Sequence, residues 1–115
     1  MPDHVMTQTL TLPEDHFDDL RAGRRIWTIR DGEREIEPGF LMYEGMEDKS
    51  MTEFVWVTDV FYMRLKGAAV KTGEKLDDLI EKLHPFYPDI DGETKITLIL
   101  HLTVDETKKI FPQAS

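Results

Sequence analysis

Apolar and polar residues alternate with a period of two along much of the chain, as in strands that cover a core with one face. This alternation predicts strands at residues 5–11, 25–31 and 40–43. Residues 54–63 are apolar on both faces, which is typical of a strand covered on both sides or crossing a barrel. A last strand is predicted at residues 95–104, where one face carries Ile96, Leu98, Leu100 and Leu102.

Two segments have helical spacing instead. Pro13 opens a short helix, a position where its missing N–H costs nothing, and Gly23 ends that helix. A second helix is predicted at about residues 74–84 and is stopped by the prolines that follow it. Its apolar residues lie three and four positions apart, at Leu76, Leu79, Ile80 and Leu83.

The remaining segments carry weaker patterns. Residues 64–73 are interpreted as a connector, and residues 105–115 as a loosely held tail. The predicted order is therefore strand, helix, three strands, helix, strand, within one domain spanning residues 1–115 and a core of about 5–104. Because strands outnumber helices and do not alternate regularly with them, we expect an α+β fold: a small mixed β-barrel of about five strands with two packed helices.

Composition excludes several classes of protein. The 115 residues, 40% of them apolar, suit one domain with one core. The absence of cysteine rules out disulfides and thiolate metal sites and fits a reducing, cytoplasmic location. No apolar run is long enough for a membrane helix, and the N-terminal residues lack the pattern of a signal peptide. The four histidines show no metal-ligand spacing, and no cofactor motif is present, so neither a metal nor a cofactor is expected.

Charge is distributed unevenly. The chain has a formal net charge of -9, yet five of its six arginines fall within residues 21–34: Arg21, Arg24, Arg25, Arg30 and Arg34. Guanidinium groups offer planar, forked donors suited to phosphates, carboxylates and base edges, so we expect a ligand site here. The alternative is a solvated face neutralised by nearby acidic residues. The negative charge argues against broad binding to duplex DNA or to an anionic membrane, but it permits a small site for a nucleoside or a few unpaired nucleotides.

A family resemblance rests on the same region. The run GRRIWTIR at residues 23–30 resembles the signature of ASCH domains, a branch of the PUA-like barrels. In that family a short helix ends in Gly-x-Lys, and the next strand carries Glu or Thr and then Arg. Residues 38–41 and 57–60 resemble the family's later strands, and the resemblance spans residues 5–103. It implies a PUA-like barrel and, as ligands, RNA or modified bases.

Thr28 in place of the commoner Glu is similar to a branch that includes small bacterial amidohydrolases acting on acetylated cytidine. The site in that branch uses a Lys, a Thr on the following strand and a Glu close to the later helix. Thr28 and Arg30 match this pattern, whereas Arg25 stands where the Lys would be. The Glu has no clean counterpart: Thr72 aligns there, and Glu74 follows two residues later.

The change from Lys to Arg favours binding over catalysis. An arginine is protonated at any working pH and cannot act as a base, but it can hold an oxyanion or a phosphate. The resemblance therefore implies catalytic candidates at Thr28, Arg25 and Glu74, and it retains the binding chemistry better than the catalytic chemistry.

Three hypotheses remain. The first is a binding module that holds a nucleoside, a nucleotide or short unpaired RNA in a cleft lined by Arg24, Arg25, Thr28, Arg30 and Tyr43. The second is an amidohydrolase acting on an acylated pyrimidine nucleoside, with Thr28 as nucleophile. The third is an acidic domain that binds a basic protein partner. Trp27 and Trp56 are interpreted as core residues, because both fall in strands beside apolar neighbours.

Overall fold

A five-stranded mixed sheet organises residues 8–112, the part of the chain that the computed structural model describes. The predicted number of strands is confirmed, although residues 5–7 of the first predicted strand lie outside the described residues. The strands are β1 (Gln8–Leu12), β2 (Trp27–Asp31), β3 (Gly39–Gly45), β4 (Thr52–Arg64) and β5 (Lys95–His101).

The sheet is a half-barrel with order β1-β3-β4-β5-β2. The pair β1 and β3 is parallel, and the other three pairs are antiparallel. The edge strands β1 and β2 curve towards each other, and Nη2 of Arg30 on β2 donates a hydrogen bond of 2.8 Å to the carbonyl oxygen of Thr11 on β1. We call the gap between these two edge strands the seam. The predicted α+β fold, with a small mixed sheet that forms part of a barrel, is therefore confirmed.

The long strand β4 explains why its sequence is apolar on both faces. Val55 and Val57 are buried in one hydrophobic core, together with residues of β1, β3 and the first helix. Phe61 and Met63 pack against a second core on the other half of the sheet. A register shift against β5 between Val57 and Asp59 separates the two halves. One strand thus contributes to both cores, and a single alternation cannot describe it.

In the described part of the chain, four α-helices accompany the sheet. A short 3-10 helix (Glu14–His16) leads into α1 (Phe17–Arg21), and α3 (Leu76–Leu83) forms where helical spacing predicts it. The interpretation of residues 64–73 as a connector is wrong, because α2 (Leu65–Thr72) occupies that segment. Its buried side consists of Leu65 and small alanines, so the sequence carries little helical periodicity there. Within the described residues, no helix is long and apolar enough to cross a membrane.

A fourth helix, α4 (Val104–Ile110), replaces most of the loosely held tail that the sequence suggests. A capping box starts it: the side chain of Thr103 accepts from the backbone N–H of Glu106, whose carboxylate accepts from the N–H of Thr103. Thr107 is buried and anchors the helix to β4, because its hydroxyl oxygen accepts the backbone N–H of Trp56 at 3.1 Å. The last strand therefore ends at His101, not at residue 104.

Replacing Thr107 with valine tests this anchor. Valine fills nearly the same volume but leaves the N–H of Trp56 without its partner, so we expect the free energy of unfolding to fall by about 1–3 kcal/mol. Urea denaturation measures the change. Thr9→Val is the matched control, because Thr9 is exposed on β1 and its substitution is expected to change stability by less than about 0.5 kcal/mol. Equal effects of the two substitutions would contradict the anchoring role.

Candidate functional site

A pocket of about 800 Å³ opens at the seam between β1 and β2. One side is formed by the end of β1 and by most of β2, and the opposite side by α3 and the turn that follows it. In the described residues β1 pairs with β3 and β2 with β5, so the outer edges of both strands lack a neighbouring strand and face the seam. Backbone N–H and C=O groups at such an edge are available to a ligand. The volume lies within the range of small-molecule sites.

The arginine cluster divides between this pocket and the rest of the surface. Nε of Arg21 donates to Glu53 at 2.6 Å, and Arg21 does not line the pocket. Nε of Arg24 donates to Asp19 at 2.8 Å at the pocket wall. Arg21 and Arg24 are thus neutralised by nearby carboxylates, as the alternative interpretation of the cluster expects. The arginines in the pocket wall are Arg24, Arg25, Arg30 and Arg34.

Two of these arginines have unused donors inside the protein. The Nε atoms of Arg25 and Arg30 are buried and have no hydrogen-bond partner within residues 8–112. Burial lowers the pKa of the Arg30 guanidinium below its ordinary value, and the positive charges of Arg25 and Arg34 act in the same direction. Because a guanidinium stays protonated, the pocket wall carries a concentrated positive charge. It also contains guanidinium N–H groups that have no hydrogen-bond acceptor within the described residues.

A neutral polar pair lies beneath this charged wall. The hydroxyl of Tyr43 and Nε2 of His101 are 3.1 Å apart, and Nδ1 of His101 lies 2.7 Å from the carbonyl oxygen of Leu102. Since a carbonyl oxygen can only accept, Nδ1 carries the proton and Nε2 accepts from Tyr43. This fixes the imidazole in one tautomer and one orientation.

Burial keeps both members of the pair uncharged. It raises the pKa of Tyr43 to about 12, although the charges of Arg25 and Arg30 and a hydrogen bond from Thr28 oppose the rise. It lowers the pKa of His101 to about 4, and the positive charge of Arg25 adds to that effect. Arg25 and Thr28, which line the pocket, therefore lie near the pair.

The structure brings most of the predicted site residues together. The pocket wall includes Arg24, Arg25, Thr28, Arg30 and Glu74. Thr28 is only 2% exposed, and Glu74 accepts from Lys82 at 3.2 Å. Tyr43 is placed differently from the prediction: it is fully buried beneath the pocket and is not part of its wall. Thr72 also lies outside the wall, and its hydroxyl donates to the carbonyl of Ala68 within α2 at 2.9 Å.

Several wall residues were not predicted from the sequence. Trp27, interpreted as a core residue, packs against the second core but also forms part of the pocket wall. The other additions lie in the 3-10 helix, α1, α3, β1, β2 or loops, and they include His16, Asp19, Met46, Lys82, Phe86 and Tyr87. Trp56 packs as expected, stacked on Phe111 with ring centroids 4.5 Å apart. No local motif marks the added residues, because only the fold brings these separate segments of the chain to one pocket.

Residues 8–112 contain no group of three or more histidine, aspartate or glutamate side chains that could hold a metal ion. The wall of the pocket presents guanidinium, hydroxyl, carboxylate and aromatic groups. Such a set is suited to binding an anion beside a planar ring.

Comparison with known proteins supports the fold. No protein-family model and no curated protein sequence matches the chain. The crystal structure of a serine-to-alanine mutant of ZmASCH from Zymomonas mobilis is similar, with a TM-score of 0.61 and 10% sequence identity over 93% of this chain and 80% of that chain. At this identity the similarity shows the fold alone. The resemblance to ASCH domains is thus confirmed at the level of the fold.

The buried imidazole predicts a pH dependence of stability. The pKa of His101 is about 4 in the folded protein against 6.5 for an ordinary histidine, so the unfolded chain binds more protons between these values. We expect the free energy of unfolding to fall by about 2 kcal/mol between pH 7 and pH 5 through this group. Urea denaturation at both pH values measures it.

His101→Gln is the matched variant, because glutamine still offers an acceptor to the Tyr43 hydroxyl but does not titrate. Its stability is expected to change less over the same pH interval, and the difference from wild type isolates the contribution of His101. Identical pH profiles for the two proteins would show that His101 is not held neutral.

Proposed function

We propose that the chain is an ASCH-type domain whose seam pocket binds a nucleoside, a nucleotide or a short unpaired stretch of RNA. The observation that carries the proposal is the pair of buried Nε donors of Arg25 and Arg30 in a pocket that also contains Trp27 and Tyr87. Guanidinium groups bind phosphates and base edges, and aromatic side chains stack on unpaired bases. The open edges of β1 and β2 add backbone groups for reading a base.

The fold and the overall charge support this class of ligand. The chain shares its fold with an ASCH protein, and the resemblance to PUA-like barrels implies readers of RNA or modified bases. A net charge of -9 disfavours broad contact with duplex nucleic acid, whereas a confined cationic pocket still attracts one small anionic or polar group. The absence of cysteine supports the cytoplasm as the place where such ligands are met.

Thermal stability against a panel of nucleosides, nucleotides and short RNAs tests the proposal. A ligand that binds only the folded protein raises the melting temperature, and at about 100 Kd it stabilises by about 2.7 kcal/mol. We expect a shift of several degrees for wild type and its loss in Arg30→Ala. Arg21→Ala is the control, since Arg21 belongs to the same cluster but lies outside the pocket. Absence of a shift with every compound would contradict the proposal.

A second function is favoured by one observation. Thr28, Arg25 and Glu74, the residues that the resemblance to acetylcytidine amidohydrolases implies, all line one pocket. In this hypothesis the Thr28 hydroxyl attacks the acyl carbon while Arg25 stabilises the oxyanion. The bond from the acyl carbon to the exocyclic nitrogen then breaks, the nitrogen takes up the hydroxyl proton as cytidine leaves, and water hydrolyses the threonine ester to release the acid. Arg25 cannot accept the hydroxyl proton, and Glu74 is engaged with Lys82, which places the hydrolase second.

Incubation with N4-acetylcytidine decides between binding and hydrolysis. If the protein is a hydrolase, chromatography detects cytidine with wild type, and Thr28→Val lowers the rate by at least about a hundredfold by removing the nucleophile. Thr9→Val is the matched control. If the compound binds but no cytidine is released, the hydrolase hypothesis is excluded and the binding-module hypothesis is retained.

A further inference from the structure

We infer that the pocket is built for a ligand that carries a phosphoryl group, seated against Arg25 and Arg30, and that an uncharged nucleoside leaves this part of the pocket unfilled. The inference rests on the proposed function and narrows its ligand class. It also assigns Arg25 and Arg30 a task distinct from holding the base.

The pairing of charges within the pocket supports this inference. Asp19 is bound by Arg24 at 2.8 Å, and Glu74 is bound by Lys82 at 3.2 Å, so both acidic residues of the wall already have a cationic partner. Arg25, Arg30 and Arg34 also line the wall, and none of them has a carboxylate partner among residues 8–112. The pocket thus carries an excess of three positive charges in a protein whose net charge is -9.

Arg25 and Arg30 line the same pocket, so a small anion bound there lies close to both positive charges. Arg30 is held from one side by the carbonyl oxygen of Thr11, which engages Nη2 and leaves Nε free. Arg25 and Arg30 lie close enough for the charge of one to lower the pKa of the other. Two guanidinium groups this close repel each other, and an anion between them relieves the repulsion while accepting from both.

The excess charge favours a phosphoryl group over a carboxylate. A phosphate monoester brings about two negative charges and three terminal oxygens, whereas a carboxylate brings one charge and two oxygens. Aromatic groups adjoin the cationic part of the pocket: Tyr87 lies near enough to influence the pKa of Arg30, and Trp27 precedes Thr28 on β2. A ligand that joins a phosphoryl group to a planar ring matches both parts of the wall.

Isothermal titration calorimetry of the intact protein with three kinds of probe tests the inference. The probes are the common ribonucleosides, their 5′-monophosphates, and dinucleoside monophosphates, which contain a phosphodiester but no terminal phosphate. We expect a monophosphate to bind at least about tenfold tighter than its nucleoside, because charge-assisted hydrogen bonds are added. If instead a dinucleoside monophosphate binds at least about tenfold tighter than its nucleoside, the protein recognises a phosphodiester within RNA.

Substitutions of Arg25 assign the preference to the pocket. Arg25→Met keeps the aliphatic stem but removes the charge, and we expect it to lower the preference for phosphorylated probes at least about fivefold. Arg25→Lys restores the charge without the fork and is expected to recover part of the preference. Arg21→Met has the same change in net charge outside the pocket and is expected to leave the preference unchanged.

The outcomes separate this inference from the proposed function. Equal affinity for nucleosides and both phosphorylated probes would overturn the inference, whereas the proposed function as a nucleoside-binding site would be retained. A preference that survives Arg25→Met, or that Arg21→Met abolishes, would also overturn it. Failure of every probe to bind would contradict both proposals together.

Discussion

Within residues 8–112 the edge strands β1 and β2 are not joined by a ladder, and the pocket and the free strand edges beside it follow from this constraint. A closed barrel would satisfy the backbone groups of both edges and fill its interior with side chains. Here the half-barrel leaves a seam that the hydrogen bond from Arg30 to the carbonyl of Thr11 crosses. The pocket occupies this seam, so the architecture itself supplies both the cavity and the free strand edges beside it.

A neutral polar pair, Tyr43 and His101, lies close to the charged wall of the pocket. If Tyr43 were ionised or His101 protonated, the charge of the pocket would change by a full unit at a position without solvent. Burial prevents both, since it raises the pKa of Tyr43 to about 12 and lowers that of His101 to about 4. The fixed tautomer of His101 then holds the Tyr43 hydroxyl in place. The positive charge of Arg25 reinforces the neutral state of the imidazole.

Local pattern predicted the strands well, because one buried face imposes a period of two. It failed where burial does not produce a period: α2 hides Ala68 and Ala69, whose small side chains give almost no signal. For α4 the capping box of Thr103 and Glu106 was readable from the sequence. For the site, the arginines were found from their local density, but the role of Trp27 was not, since a strand tryptophan beside apolar residues has the same pattern in a core and in a pocket wall. That distinction depends on the turn after α3, which is distant in sequence.

An unpaired strand edge is also a place where a second copy of a chain can add its own strand. In this fold the exposed side of β2 carries Arg30 and is followed by Arg34, and both guanidinium groups line the gap that an added strand would enter. A strand from another copy would bury those charges without an acidic partner. The free-energy cost of removing the charges from water would then exceed the gain from the new backbone hydrogen bonds. The cluster that prepares the seam for a small ligand therefore also protects the molecule from edge-to-edge aggregation.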